Sequence, residues 1–395
     1  MPRILLTVAA LLLGSGCYLA HGIEGLDAGP PPRDAGPIGR DAGLRRDAGS
    51  PTVPACEVRL ERCAPVHEAA LQLFDQQSQS PEIVWGPDRL LLAFWAPGDE
   101  GSGGPQLLHL DLDGRVIETV PLPRGYNETH LAWNPRIAQG LFSAESGLTW
   151  IGADGYPTES AWLSPDERFR STFDVGPTED GFAVALSGRG LETQLGTSVA
   201  PGELDWIGTG RVDGAGPALA DRWTGELRGL AGGSLLRHDG AAWDAPIAGV
   251  EGDGFAPNDV FTFGGALFTL HSHYDGRHVV RRWTLDGALV REATVGPLDD
   301  RGSARLFAMG ATLAVVATHL TPDAAIHVAE LDPDTLELGR TLFEVAPPPP
   351  VFPYNRHSIA LTQTPRGLAF VWTEGAVGSG NMRPFLRLYE CCLTE

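Results

Sequence analysis

Two segments of the chain carry side chains suited to ligand recognition, GYNETHLAW and PYNRHSIAL. Tyrosine stacks on flat ligand faces, while Asn, His and Arg hydrogen-bond to polar groups, a combination that suits sugars and peptides. The Tyr-Asn pair recurs 228 residues apart. These residues are therefore candidates either for one ligand-binding site or for turns that merely recur with a structural repeat. They are Tyr126, Asn127, His130, Tyr354, Asn355, Arg356 and His357.

A third segment, LHSHYDGRHVV, offers His271, His273 and His278. Two histidines one residue apart on a strand point to the same face, an arrangement that metal sites use. The intervening YDGR is typical of a hairpin turn, so His273 and His278 are expected to be cross-strand neighbours, and we predict no metal. Motifs for nucleophilic, nucleotide or dinucleotide chemistry are lacking, and we assign no catalytic residue and no cofactor.

The elements that must position these side chains are short strands ended by turns. Asp-Gly pairs occur at Asp113-Gly114, Asp154-Gly155, Asp239-Gly240 and Asp286-Gly287, and a related turn follows at Asp332. Asp-Gly favours a two-residue hairpin turn, in which both central residues have positive φ. The turns are 41, 85, 47 and about 46 residues apart, and 85 is close to two repeat lengths.

A repeat of about 45 residues with four short strands resembles the blade of a β-propeller. Seven units follow from this spacing, and the resemblance implies an all-β, seven-bladed β-propeller, with six or eight blades as alternatives. The units begin near Glu82, His130, Phe173, Pro217, Asn258, Ala304 and His357.

The last unit contains three strands and then ends in YECCLTE, so its fourth strand must come from elsewhere. We predict that His67 to Phe74 supplies it and closes the ring, because an unfinished blade leaves a sheet edge exposed. This brings Cys56 and Cys63 close to Cys391 and Cys392, which favours two disulfides between the termini of the domain. Neighbouring Cα atoms lie too close for an unstrained bond between Cys391 and Cys392. The pairing stays open, and zinc binding is disfavoured because Cys56 and Cys63 lack CxxC spacing.

The N-terminus predicts export. Residues 1–16 have the arginine, the apolar run and the small residues of a signal peptide. Small residues before Cys17 resemble the lipobox of bacterial lipoproteins, which implies that Cys17 is lipidated; an ordinary signal peptide is the alternative. Residues 17–55 repeat Asp-Ala-Gly among Gly and Pro, a composition typical of a disordered tether. Residues 56–395 form the propeller domain.

Charge and location narrow the function. A net charge of -21 disfavours binding to nucleic acid. Tyr18, in place of the aspartate that retains many lipoproteins at the inner membrane, implies the outer membrane or cell surface, with membrane contact only through the lipid anchor. We expect a monomeric binding or scaffold protein for a glycan, peptide or envelope protein. A hydrolase or lyase with its active site at the channel mouth, and a purely structural role, are the alternatives.

Overall fold

The computed structural model describes an almost wholly β domain. The chain divides into two compact units, Met1–Ala48 and Gly49–Glu395. All described residues belong to the second unit, so the signal peptide, Cys17 and the tether lie outside them. The described residues are 58, 60–68, 70–73, 79–96, 104–123, 129–144, 147–162, 173–177, 180–187, 193–207, 219–220, 228–231, 234–237, 248–249, 255–273, 277–295, 304–309, 312–318, 326–345, 355–375 and 383–392.

The first part of the domain begins with a short 3₁₀ helix, Leu60–Arg62. The strands that follow are β1 (Ala64–Pro65), β2 (Leu71–Gln72), β3 (Gln79–Trp85), β4 (Leu90–Ala96), β5 (Gly104–Leu110), β6 (Val116–Pro121), β7 (Thr129–Asn134), β8 (Gln139–Ala144), β9 (Gly147–Ile151), β10 (Pro157–Trp162), β11 (Phe173–Pro177), β12 (Phe182–Ser187), β13 (Thr193–Ser198) and β14 (Asp205–Ile207).

The second part of the domain repeats the same pattern of short strands. Its strands are β15 (Leu219–Ala220), β16 (Arg228–Ala231), β17 (Ser234–Arg237), β18 (Ala248–Gly249), β19 (Phe255–Phe263), β20 (Ala266–His273), β21 (His278–Trp283), β22 (Leu289–Val295), β23 (Ala304–Met309), β24 (Thr312–Thr318), β25 (Ile326–Leu331), β26 (Leu338–Val345), β27 (Asn355–Thr364), β28 (Gly367–Gly375) and β29 (Arg383–Glu390).

Within the described residues, β3 to β26 pair four by four in chain order, giving six antiparallel sheets, and β27 to β29 form a further sheet with β1 and β2. The first strand of each sheet contacts the first strand of the next, in the order β3, β7, β11, β15, β19, β23, β27 and back to β3. This is a β-propeller arrangement, whose first strands surround the central channel. The predicted all-β propeller fold is confirmed, and each first strand begins within three residues of its predicted start.

The core lies between neighbouring sheets. The second strand of the first sheet, β4, reads LLLAFWA and is buried along almost its whole length, because its two faces pack against different neighbours. The fourth strand, β6, reads VIETVP and is largely exposed. Burial therefore falls from the inner strands of a sheet to its outermost strand. One cluster of buried apolar residues joins the last sheet to the first. In it, Val371 and Leu386 of the last sheet pack against Ile83 and Leu92 of the first.

The tight turns differ from the sequence prediction. Gly114, Gly155 and Gly287 have φ values of 79°, 86° and 85°, but the aspartate before each of them does not have positive φ. In the first of these turns the backbone N–H of Asp111 donates to the Arg115 carbonyl at 3.0 Å, so three residues, 112–114, lie between the paired strand ends. The Asp111 carboxylate also accepts from the N–H groups of Asp113 and Arg115. These side-chain bonds are those of an Asx turn, and they stabilise the longer turn.

An N-terminal segment, residues 60–73, closes the last sheet; we call it the clasp. Both β1 and β2 pair antiparallel with β29, so the fourth strand predicted at His67 to Phe74 is present but split into two pieces, the first of which lies before His67. The Cys63–Cys391 disulfide joins the clasp to the chain just after β29, with the two Cα atoms 4.1 Å apart. This confirms one of the predicted bonds. Cys392 is disulfide-bonded as well, and its partner lies outside the described residues, as does Cys56.

The clasp also contacts the sheets on either side. Its His67 Nε2 donates to the Asp113 carbonyl in the first sheet at 2.8 Å. The same type of bond occurs between the first and second sheets, where His109 Nε2 lies 3.0 Å from the Gly155 carbonyl. On the other side, Leu60 packs in a core cluster with residues of β24 and β25. The junction between the ends of the chain therefore repeats the contacts of an ordinary sheet-to-sheet junction.

Candidate functional site

Four ionisable side chains converge on the central channel, and we call them the channel cluster: Glu82, His130, Asp259 and Arg305. Each comes from the first strand of a different sheet, namely β3, β7, β19 and β23. Each also directly precedes a buried apolar residue of the same strand, as Glu82 precedes Ile83 and Arg305 precedes Leu306. Because side chains alternate along a strand, the apolar residue enters the core while the charged one points away from it.

Arg305 is the centre of the channel cluster. Its Nε donates to both carboxylate oxygens of Asp259, each at 3.2 Å. Its Nη1 donates to Glu82 Oε1 at 3.4 Å and to the backbone carbonyl of Ile359 in β27 at 3.3 Å. The guanidinium thus connects sheets that lie on both sides of it around the ring, which its flat, multi-donor geometry permits.

The two acidic residues of the cluster differ in access to solvent. The Asp259 side chain is only 3% exposed, and it also accepts the N–H of Leu306 at 3.0 Å. Glu82 is 12% exposed and Arg305 is 18% exposed. Asp259 therefore acts as the buried anchor of the guanidinium, whereas Glu82 and Arg305 are partly accessible to solvent.

His130 completes the cluster on the other side of Glu82. Its Nδ1 lies 3.9 Å from Glu82 Oε1, an ion pair only if the imidazole is protonated, and its side chain is 18% exposed. The cluster thus combines hydrogen-bond donors, acceptors and one titratable ring within a narrow space. Such a set can orient a polar ligand.

The predicted site residues have different outcomes. His130 lies in the channel cluster. Asn355, Arg356 and His357 begin β27, a few residues before the Ile359 carbonyl that Arg305 binds, and their side chains lie outside the described residues. Tyr126, Asn127 and Tyr354 also lie outside them, so their predicted role stays a prediction. Glu82, Asp259 and Arg305 were not among the predicted site residues, although a charged residue just before the apolar part of several first strands was a usable signal.

The histidines of β20 and β21 form no metal site that the structure shows. Among the described residues, no group of three or more His, Cys, Asp or Glu side chains could hold a metal ion. His278 faces Ser272 across the ladder, so the predicted pairing of His278 with His273 is wrong by one residue. His271 is 1% exposed, and its Nε2 lies 2.9 Å from the Thr269 hydroxyl. That hydroxyl also accepts from the Trp283 indole N–H at 2.9 Å.

Burial, together with the smaller effect of the nearby Arg281 charge, lowers the pKa of His271 to about 3. Between that pH and the ordinary histidine value of about 6.5, the unfolded chain binds a proton that the folded chain does not. The free energy of unfolding should therefore be highest above pH 6.5 and decrease as the pH falls below it. For this residue alone we expect a loss of about 2–3 kcal/mol at pH 4.5.

His271→Gln should remove most of that pH dependence, because glutamine is polar and does not titrate. We expect the difference in the free energy of unfolding between pH 7.5 and pH 4.5, measured by urea denaturation, to shrink by about 2 kcal/mol in this variant. Thr269→Val is the control, since it removes the bridging hydroxyl without removing a titratable group and should cost similar stability at both pH values. An unchanged pH dependence in His271→Gln would contradict the assignment.

Comparison with known proteins supports the fold alone. No family model matches the chain, and no curated protein matches it. A crystal structure of a protein of unknown function from Dyadobacter fermentans DSM 18053 is similar, with a TM-score of 0.51 and 11% sequence identity. The match covers 84% of this chain and 99% of that one. At this identity the likeness shows a shared fold, and a shared fold does not specify function. In the described part of the chain, no helix is long and apolar enough to span a membrane.

Proposed function

We propose that this protein is an exported lipoprotein that presents a closed, seven-bladed propeller as a binding or scaffold module. In this proposal Cys17 carries the lipid, residues 17–55 form the tether, and residues 56–395 bind a glycan, a peptide or an envelope protein at the bacterial outer membrane or cell surface. The observation that carries the binding role is the channel cluster, where donors and acceptors from four first strands converge.

The disulfides support the export part of the proposal. Structural disulfides persist mainly in oxidising compartments, such as the periplasm and the cell surface. The Cys63–Cys391 bond and the disulfide of Cys392 both secure the C-terminal end of the domain. We assign Cys56 as the partner of Cys392, because it is the cysteine nearest the clasp in sequence.

The cluster favours binding over the hydrolase or lyase alternative. A carboxyl group that serves as a general acid or base must be able to exchange protons with a substrate. Here a single guanidinium holds both Asp259 and Glu82, and Asp259 is almost completely buried. Groups fixed in this way are well suited to orient a ligand, since their geometry is set before the ligand arrives.

Localisation can be tested with the full chain in a Gram-negative host grown with labelled palmitate. We expect label on the protein in the membrane fraction, and none on a Cys17→Ala variant. An unlabelled protein in the soluble periplasmic fraction would contradict the anchor but not export. Retention of the protein in the cytoplasm would contradict both.

Binding can be tested by thermal unfolding of the purified full chain with envelope oligosaccharides, peptidoglycan fragments and peptides. A ligand at 100 times its Kd should stabilise the native state by about 2.7 kcal/mol and raise the midpoint accordingly. Glu82→Gln, which keeps the size of the side chain but removes its charge, should weaken that response. If no compound of any class raises the midpoint, the binding role is wrong.

A further inference from the structure

We infer that the channel cluster is a saccharide site, in which Arg305 and Glu82 bind hydroxyl groups of a neutral sugar. This inference rests on the proposed binding function and names the class of its ligand. It follows from the hydrogen-bonding capacity and the charge balance of the cluster.

Arg305 retains donor capacity for a ligand. Its Nε and Nη1 are engaged by Asp259, Glu82 and the Ile359 carbonyl. Within the part of the chain that the structure describes, no hydrogen bond uses Nη2. A guanidinium has five N–H donors in a fixed plane, two of them on this nitrogen. A side chain that is 18% exposed can therefore offer them to a group in the channel.

The charges of the cluster disfavour anionic ligands and place a guanidinium beside any cationic ligand. An anionic ligand that accepted from Nη2 would meet the carboxylate of Glu82 and the nearby carboxylate of Asp259, which already surround the guanidinium. The chain's net charge of -21 adds to that repulsion. A cationic ligand that approached Glu82 would meet Arg305, whose Nη1 lies 3.4 Å from Glu82 Oε1. Like charges at such distances are costly.

A hydroxyl group satisfies both partners without net charge, because it accepts one hydrogen bond and donates another. One hydroxyl of a sugar can accept from Arg305 Nη2 while a hydroxyl of the same ring donates to Glu82. His130, beside Glu82, supplies a further polar contact. Neutral saccharides carry several hydroxyls on a rigid ring, so they match this alternating set better than a peptide terminus does.

The test is an array of neutral, acidic and amino oligosaccharides probed with the purified full chain, followed by titration calorimetry of the strongest ligand. We expect neutral members to bind best. Arg305→Lys keeps the positive charge between the two carboxylates but loses the planar donor pair, and it should raise Kd at least about tenfold. Arg366→Lys makes the same chemical change in an exposed ion pair with Asp113 and should leave Kd within about twofold.

Circular dichroism and the thermal midpoint show whether each variant is folded. If Arg305→Lys is not folded, Glu82→Gln serves as the second site variant. Strongest binding to acidic or amino sugars, or unchanged affinity in both site variants, would overturn the inference. Binding of a peptide or envelope protein without any saccharide would overturn it and leave the proposed function standing. If nothing binds, both fail.

Discussion

Removing every disulfide at the C-terminal end of the domain is expected to lower the free energy of unfolding by about 4–5 kcal/mol. Cys63 and Cys391 are 328 residues apart, so their bond closes a loop that contains almost the whole domain. In the chain-entropy model, closing such a loop restricts the unfolded chain far more than the folded one. The variant that tests this is Cys63→Ala/Cys391→Ala/Cys392→Ala, measured by urea denaturation against the oxidised wild type.

A second variant tests whether the two bonds are redundant. Cys63→Ala/Cys391→Ala removes the described disulfide but keeps the one at Cys392. If Cys56 is the partner of Cys392, the remaining bond closes nearly the same loop, and this double variant should lose only about 1 kcal/mol. A loss as large as that of the triple variant would show that the second bond does not close the ring.

The clasp explains why the disulfides sit where they do. The pieces of β1 and β2 are two residues long each, and pairing along so short a length is weak. They nonetheless cover the outer edge of β29, which would otherwise expose unpaired backbone groups. A covalent bond beside β1 holds these short pieces in register. We therefore expect loss of the bonds to expose the β29 edge before the inner strands unfold, as hydrogen exchange at Leu386 and Leu388, whose backbone groups face the clasp, would show.

The fold was predictable from the sequence because its signals are local. Each turn and each apolar run recurs within about 45 residues, so the repeat alone places the first strands. The turn type was wrong for an equally local reason: Asp111 pairs with Arg115 and its carboxylate accepts backbone N–H groups of the turn, and the Asp-Gly pair does not reveal this.

The channel cluster could not be predicted in the same way. Arg305 and Glu82 are 223 residues apart, and they meet only because the ring closes. The repeat predicts that both residues lie in first strands, yet it does not predict which first strands are joined by ion pairs across the channel. His130 was found because it lies close to a Tyr-Asn pair, whereas Asp259 and Arg305 have no such landmark. Local patterns thus determine the sheets, and ring closure determines the site.

Arg305→Met is expected to destabilise the protein by about 3–5 kcal/mol, because it removes the guanidinium that pairs with the buried carboxylate of Asp259. Methionine fills much of the space of the arginine stem, so a cavity is a minor contribution. After the substitution, the Leu306 N–H still donates to Asp259. Urea denaturation at pH 7.5 measures the effect.

Two further variants separate the loss of charge from the loss of packing. Arg366→Met breaks the exposed ion pair with Asp113, whose side chains are 48% and 46% exposed, and should cost less than about 1 kcal/mol. Arg305→Met/Asp259→Asn removes the cation and the buried charge together, and we expect it to recover at least half of the stability lost in Arg305→Met. If the double variant is no more stable than Arg305→Met, the cost comes from packing in the channel rather than from an unpaired charge. The channel cluster would then be a minor electrostatic feature, and Glu82 rather than Arg305 would be the residue through which to test ligand binding.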